Sequence, residues 1–538
     1  MSKPSAELEE AWRSTCRTVL GGEVGGLYEF ENWLLEDHGP RMVRPSCLSG
    51  KDVVSVYSNY PKAVRMASYD ELDLNAQYGP LSINEIKDID SLAEAVSERA
   101  IYCGNIVLGN SKFVQDSTVI TDCFHTHHCE RVAFSKFAAY CSRGGYSDYL
   151  FGCHGMGPVH YCIRTSATWD CMRSLMLSKS EFSSDCYYSH GLTGCQECLF
   201  SFHLKNQRRR IGNLALPKDQ YLQIKAKLLE EMRTELSEKK RLPSLVEMTA
   251  NRKPDHSKLK AVMALPEWGK WKAEAEDQSK IEEAFGQTSQ VLLGKRMGPV
   301  GAYAKLLGSN SAVHMEKAKS CASGEELWRV DYSNFMSFPP ERLLTQPQAD
   351  FFGEHAALGE EEVKGLSLRT APALIGPLAY FCHTWRTGKL SNDIEAPLAI
   401  DSSDCYHGVL FMLSKSCAYC LMPRSCEFLF GCREARESSF GINCHFSTKV
   451  SRCFELDNCN NCSDCFFCHN IENCQECMFC FNIKAKRYAI GNVEYPREQY
   501  LRVKKMVLAE LASRLEKDKV LPWSIYSLGG KKISPLTC

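Results

Sequence analysis

A mainly β fold with helices is predicted: a tandem duplication of a cysteine-laddered β-solenoid, each copy closed by a C-terminal amphipathic helix. Three observations predict it. The chain repeats itself at a fixed offset, its cysteines fall in a period of three, and a segment with a helical apolar face follows each cysteine-rich stretch.

The duplication is legible as text. LFGC at 150–153 recurs at 429–432, and SDCYYSHGLTGCQECLFSFHLKNQRRRIGN from Ser184 recurs as SDCFFCHNIENCQECMFCFNIKAKRYAIGN from Ser463. PKDQYLQIKAKLLEEM at 217–232 recurs as PREQYLRVKKMVLAEL at 496–511, so all three pairs share an offset of 279. Upstream, CLSGKDVVSVYSNYP at 47 resembles CASGEELWRVDYSNFM at 321, at an offset of 274. A chain of 538 residues is too long for one compact core. The expected order is an N-terminal helical segment (1–46), a first repeat unit (47–245), a helical bridge (246–317), a second unit (318–525) and a tail (526–538). The solenoids are expected over about 100–213 and 379–492.

Within each unit the cysteines set the period. All 14 from Cys405 to Cys480, and all nine from Cys123 to Cys198, fall at positions divisible by three. Within 462–483 the order Cys, Cys, Cys, Ile occurs twice, which gives a longer repeat with a period of twelve. A helix has a period near 3.6 and a strand a period of two. Short strands joined by fixed corners, coiled so that equivalent residues stack, account for a period of three within twelve. Asn458, Asn461, Asn470 and Asn473 suit the corners, because asparagine tolerates left-handed backbone angles. One coil could hold one such repeat or two. The closing helices are expected over 217–240 and 496–518, each starting with proline. Tyr221, Leu222, Ile224, Leu228, Leu229 and Met232 give the first an apolar face, expected to cover the open end of the solenoid.

Composition excludes several classes. Lys plus Arg is 64 against 65 for Asp plus Glu, so no electrostatic footprint for nucleic acid or an anionic membrane is present. No apolar run long enough to span a membrane occurs, and MSKPSAELEEAWRST lacks the features of a signal peptide. The 29 cysteines are then read as thiols of a reducing compartment, in the cytoplasm or in a particle assembled there.

Cys459, Cys462, Cys465, Cys468, Cys474, Cys477 and Cys480 raise the question of zinc or an iron–sulfur cluster, because paired thiolates grip a tetrahedral ion. The first copy is a control. Subtracting 279 from the 14 cysteine positions gives five Cys, six Ser, two Thr and Ala138. Serine is a poor ligand for soft metals but nearly the size of cysteine, so the favoured reading is a small buried side chain. A weaker candidate is CFHTHHC, where Cys123, His125, His127 and Cys129 would share one face of a strand. Surface histidines on a strand are the favoured alternative. Adjacent cysteines three apart on an extended strand are too distant for a disulfide, though cysteines stacked on successive coils could be bridged. No nucleophile elbow, phosphate loop or dinucleotide fingerprint is present. The basic stretches QRRRIGN and AKRYAIGN, at the two solenoid ends, read as solvated caps.

The run SVYSNYPKAVRMASYDELD, the ladder DCFFCHNIENCQECMFC and the exit FSFHLKNQRRRIGN resemble a family of cysteine-rich repeat proteins of candidate-phylum bacteria and very large phages. The resemblance covers about 47–245 and, more loosely, 321–525. It implies the fold and no established activity. Typical members resemble zinc-ribbon proteins upstream of the ladder; here that place holds only Cys47 and Cys321. The expected function is a non-enzymatic structural or interaction scaffold without cofactor, meeting other proteins or copies of itself in a larger assembly such as a virion. The alternative is a metal-binding protein. Protein purified reduced and without added metal is expected to carry less than one zinc or iron per chain by elemental analysis; stoichiometric metal would favour the alternative.

Overall fold

Among the described residues, left-handed backbone recurs at every third residue over long runs of both cysteine-rich stretches. In the computed structural model His125, His128, Arg131, Phe134 and Phe137 have φ between 52° and 55°, and His407, Leu410, Leu413, Ser416 and Tyr419 between 43° and 57°. Each such residue immediately precedes a position divisible by three. A left-handed L-residue costs about 1–2 kcal/mol, so a regular series of them needs regular compensation. The structure describes residues 3–529 except 40, 57–59, 83–85, 147, 156, 251, 272–275, 310–313, 332–336, 420–426, 432–438, 445–450 and 457–468.

Compensation begins with parallel pairing to the twelfth residue on. Lys136 pairs with Asp148, Asp148 with His160, Ser184 with Gln196 and Gln196 with Arg208. In the second stretch Glu427 pairs with Ser439, His469 with Phe481 and Gln475 with Arg487. A layer therefore holds one repeat of twelve rather than two. Both stacks begin with one layer of thirteen, Val107 against Ile120 and Trp385 against Leu398. The extra residue makes a turn at Gly109 or Gly388, where Asp122 Oδ1 accepts from Asn110 N at 2.8 Å and Asp401 Oδ1 from Lys389 N at 2.9 Å. A Cβ at either glycine would collide with that carboxylate.

Two of every three backbone N–H groups enter the ladder. Residues just after an inward position donate upward, as Thr118 N to Cys129 O (3.0 Å), and left-handed residues donate downward, as Tyr140 N to His127 O (3.0 Å). The third N–H, on the inward residue, points at the side chain one layer below. Where that side chain is serine, its Oγ accepts: Ser111 from Cys123 N (3.1 Å), Ser117 from Cys129 N (2.9 Å), Ser183 from Cys195 N (3.2 Å) and Ser189 from Ser201 N (3.1 Å). At the exits the stacks close with asparagine. Asn213 and Asn492 accept from Phe202 N and Phe481 N at 2.8 and 2.7 Å, and donate to the carbonyls of the same phenylalanines at 3.0 and 2.9 Å, as a further strand would.

Helices Lys218–Lys239 and Arg497–Asp518 follow these exits. Tyr221, Leu228 and Met232 of the first are buried as expected, whereas Leu222 is 44% exposed. Helix and strand occur in similar measure, so the fold is mixed α/β rather than mainly β. Besides the closing helices there are Ala6–Leu20, Ser279–Leu293 and Gln346–His355. No described helix is long and apolar enough to cross a membrane.

The chain divides into two compact units: Met1–Pro40 with Asn105–Lys272 and Glu316–Thr384, and Arg41–Gly104 with Ala273–Met315 and Trp385–Cys538. Each unit thus contains one stack and the segment upstream of the other stack. In the first, Leu358 N donates to Gly212 O at 2.8 Å at the stack exit. In the second, Tyr495 Oη accepts from Leu81 N at 2.7 Å.

The hydrogen-bond pattern separates size from chemistry at an inward position. Ser189 is fully buried, donates to Tyr187 O at 2.9 Å and accepts from Ser201 N. Ser189→Cys is expected to be mild. Ser189→Ala, though smaller, is expected to cost about 1–3 kcal/mol, because it orphans a buried N–H. Denaturant unfolding of the full chain measures both; an alanine variant as stable as the parent would reduce the requirement to size alone.

Candidate functional site

Within the two stacks, the described thiols at positions divisible by three lie inside. Cys123, Cys129, Cys162, Cys171, Cys186, Cys195 and Cys198 are fully buried, as are Cys405, Cys417, Cys474, Cys477 and Cys480. Most donate to the carbonyl two residues earlier, as serine does there: Cys141 to Ala139 O at 3.2 Å, Cys186 to Ser184 O at 3.3 Å, Cys477 to Gln475 O at 3.4 Å and Cys480 to Met478 O at 3.2 Å. Ser174 and Ser183 make the same bond at 3.1 and 2.8 Å. Cys480 Sγ also accepts from Asn492 N at 3.4 Å. Burial pushes the Cys123 thiol up to about 11 and those of Cys162 and Cys405 well above their ordinary value, so these sulfurs are protonated donors. In the stacked pair Cys141 and Cys153, burial raises both, but hydrogen bonds from Cys141 and Thr165 leave Cys153 the more acidic.

Of the seven-cysteine candidate, Cys474, Cys477 and Cys480 point inward from three successive corners. Cys459, Cys462, Cys465 and Cys468 lie outside the described residues. Among the described residues no three His, Cys, Asp or Glu side chains are grouped to hold a metal. CFHTHHC does not bring its four residues together. The period is three, not two, so Cys123 and Cys129 point inward while His125 points outward between the rings of Phe113 and Phe137 at 4.6 and 5.1 Å. His127 is buried with its ring 5.5 Å from that of Tyr140. Cys47 and Cys321 each follow the first residue of a matching hairpin turn, closed by Gly50 N to Ser46 O and Gly324 N to Ser320 O, both 2.9 Å. The basic exit is internally paired: Arg208 meets Glu197 at 2.6 Å and Lys205 meets Asp350 at 2.8 Å. In the glycine-containing stretch LGKRMGPVGAY at 293–303, Lys295 pairs with Glu516 and Arg296 with Glu283.

Two features escaped the sequence reading. The first is a column of outward rings. Phe113, His125, Phe137, Tyr149 and Tyr161 follow one another at centroid spacings of 4.6, 5.1, 5.2 and 4.7 Å. Phe134 and Tyr146 form a shorter column at 4.9 Å. Phe113 is 64% exposed, Phe134 40% and Tyr146 57%. Aromatics recurring in one phase of the twelvefold repeat were the available signal.

The second is a buried polar cluster where the segment ending at Thr384 meets the first stack. His190 Nδ1 and Ser178 Oγ are 2.7 Å apart, and His190 Nε2 accepts from Cys382 N at 3.4 Å. His203 Nε2 lies 3.0 Å from Tyr380 O and is its donor. Lys179 Nζ donates to the carbonyls of Cys382, at 3.1 Å, and Thr384. Phe338 packs flat on Phe381 with centroids 4.5 Å apart, and His383 stands 5.0 Å from Phe338. Burial, aided by the Lys179 ammonium, lowers His203 to about 4 and His383 to about 3, and burial holds His190 well below its ordinary value. These imidazoles are neutral hydrogen-bonding groups.

No protein-family model, curated protein or solved structure matches the chain.

The histidine cluster predicts acid sensitivity with a definite sign. His203 titrates near 6.5 when unfolded and near 4 when folded. Below about 6.5 the unfolded chain binds a proton that the folded chain does not, so stability is full above that pH and falls as pH drops towards 4. His203→Asn copies Asn482, which donates to Ile101 O at 2.6 Å in the second unit. It is expected to flatten the decline in denaturant unfolding across that window; an unchanged slope would remove His203 from the account.

Proposed function

We propose that the protein is a non-enzymatic structural or interaction scaffold: two β-solenoids whose coils have a period of twelve, the product of a tandem duplication, built into a larger assembly such as a virion or other large particle. One observation carries the reading. The inward thiols donate to backbone carbonyls in the same way as the serines that replace them, so the abundance of cysteine serves the closure of the coils. Recognition then falls to outward positions, where stacked aromatic rings stand in solvent on a rigid frame. Other proteins or further copies of the chain are the partners this surface suits. Assembly in the cytoplasm would keep the thiols reduced.

Sedimentation velocity on the full chain tests it. Concentration-dependent association is expected, and Phe113→Ser with Phe134→Ser and Tyr146→Ser is expected to abolish it without lowering the melting temperature. A chain that stays monomeric at every concentration and carries stoichiometric zinc or iron would overturn the scaffold reading in favour of the metal-binding one.

A further inference from the structure

We infer that the exit of each stack is a receptor for the upstream segment of a second copy, so that the chain is a covalently fused form of a reciprocal, arm-exchanged dimer. The two receptors are filled by matching contacts. In one unit His190 Nε2 accepts from Cys382 N at 3.4 Å; in the other His469 Nε2 accepts from Cys103 N at 3.1 Å. Both members of these pairs differ by 279, as do their surroundings. His203 contacts Tyr380 O where Asn482 contacts Ile101 O. Phe202 meets Phe381 edge-on at 6.3 Å where Phe481 meets Tyr102 at 5.7 Å. Leucines close both exits: Leu358 lies where a Cβ on Gly212 would be, and Leu81 2.8 Å from one on Gly491.

Chain geometry makes the exchange obligatory. Ile101 and Cys103 precede Asn105, where the first stack begins, by four and two residues. The receptor of that same stack, at His190 to Gly212, lies about eight layers further on, roughly 38 Å at about 4.8 Å per layer. Four residues reach at most about 14 Å. A segment tied so closely to the start of one stack cannot fill the exit of that stack, so the exit requires a segment from another copy. In this chain the other copy is supplied in cis; the contacts themselves do not need the covalent bridge.

The test uses the full chain with a site-specific protease sequence inserted between Gly269 and Lys270, which are both exposed. Each unit then draws residues from both products. After cleavage the protein is expected to elute as one particle of the uncut size and to remain so on dilution to nanomolar concentration. Products that separate would overturn the inference. Two further variants distinguish this exchange from general adhesion. Gly212→Val and Gly491→Val, each blocking one leucine, are expected singly to weaken the cut complex by about 10²–10⁴-fold, since losing one of two linked contacts removes avidity of that order. Together they are expected to separate the products. A cut double variant held as tightly as the cut parent would also overturn it.

Discussion

One backbone N–H in every three has no place in the ladder, and the rest of the structure follows from how it is satisfied. A corner at every third residue turns the inward group away from its neighbouring layer, and water cannot reach it. A small side chain carrying its own hydrogen solves both halves of the problem: it accepts from the layer above and donates to a carbonyl two residues behind, as Ser183 does at 3.2 and 2.8 Å. Serine and cysteine fit, whereas the inward aliphatic side chains, such as Ile120, Leu177 and Leu192, fill the interior without offering such a bond. The left-handed corners are unfavourable one by one and persist because each belongs to a layer whose polar groups are paired on both sides.

Much of this was legible in the sequence. The period of three, the repeat of twelve and the closing helices were all visible because each depends on residues near in sequence. The substitution pattern carries size, a small buried side chain. It held a further fact: of the 14 partners in the first copy, all but Ala138 are Cys, Ser or Thr, side chains with a hydrogen to donate. CFHTHHC was read with the period of a strand, although the neighbouring cysteines already gave a period of three. The cluster of His190, His203 and Lys179 was not readable, because the segment that buries it is about 180 residues away in sequence and begins a different copy.

The two units use the same contacts with different chemistry. Where the first places His203 and His383, the second has Asn482 and Gly104 at the corresponding positions. An amide donates to a carbonyl as an imidazole N–H does, without a charge to acquire in acid. The two units thus share backbone contacts at these exits while the side chains placed there differ in their response to protons.

The matching ends of the stacks carry a consequence for how such a chain can change length. The glycine turn at 109 or 388 starts a stack and the asparagine at 213 or 492 finishes it, and neither refers to how many layers lie between. Gain or loss of one whole layer preserves every column, inward and outward. Gain or loss of a single corner-to-corner step, a quarter of a layer, keeps the inward phase but carries each outward residue round to the next side, remaking the surface over an intact interior. Beyond the first layer, where a glycine turn takes up one extra residue, any length that is not a multiple of three puts rings and charges where the thiols belong. Insertions in this architecture therefore come in two tolerated sizes, one that lengthens the body and one that rewrites its exterior.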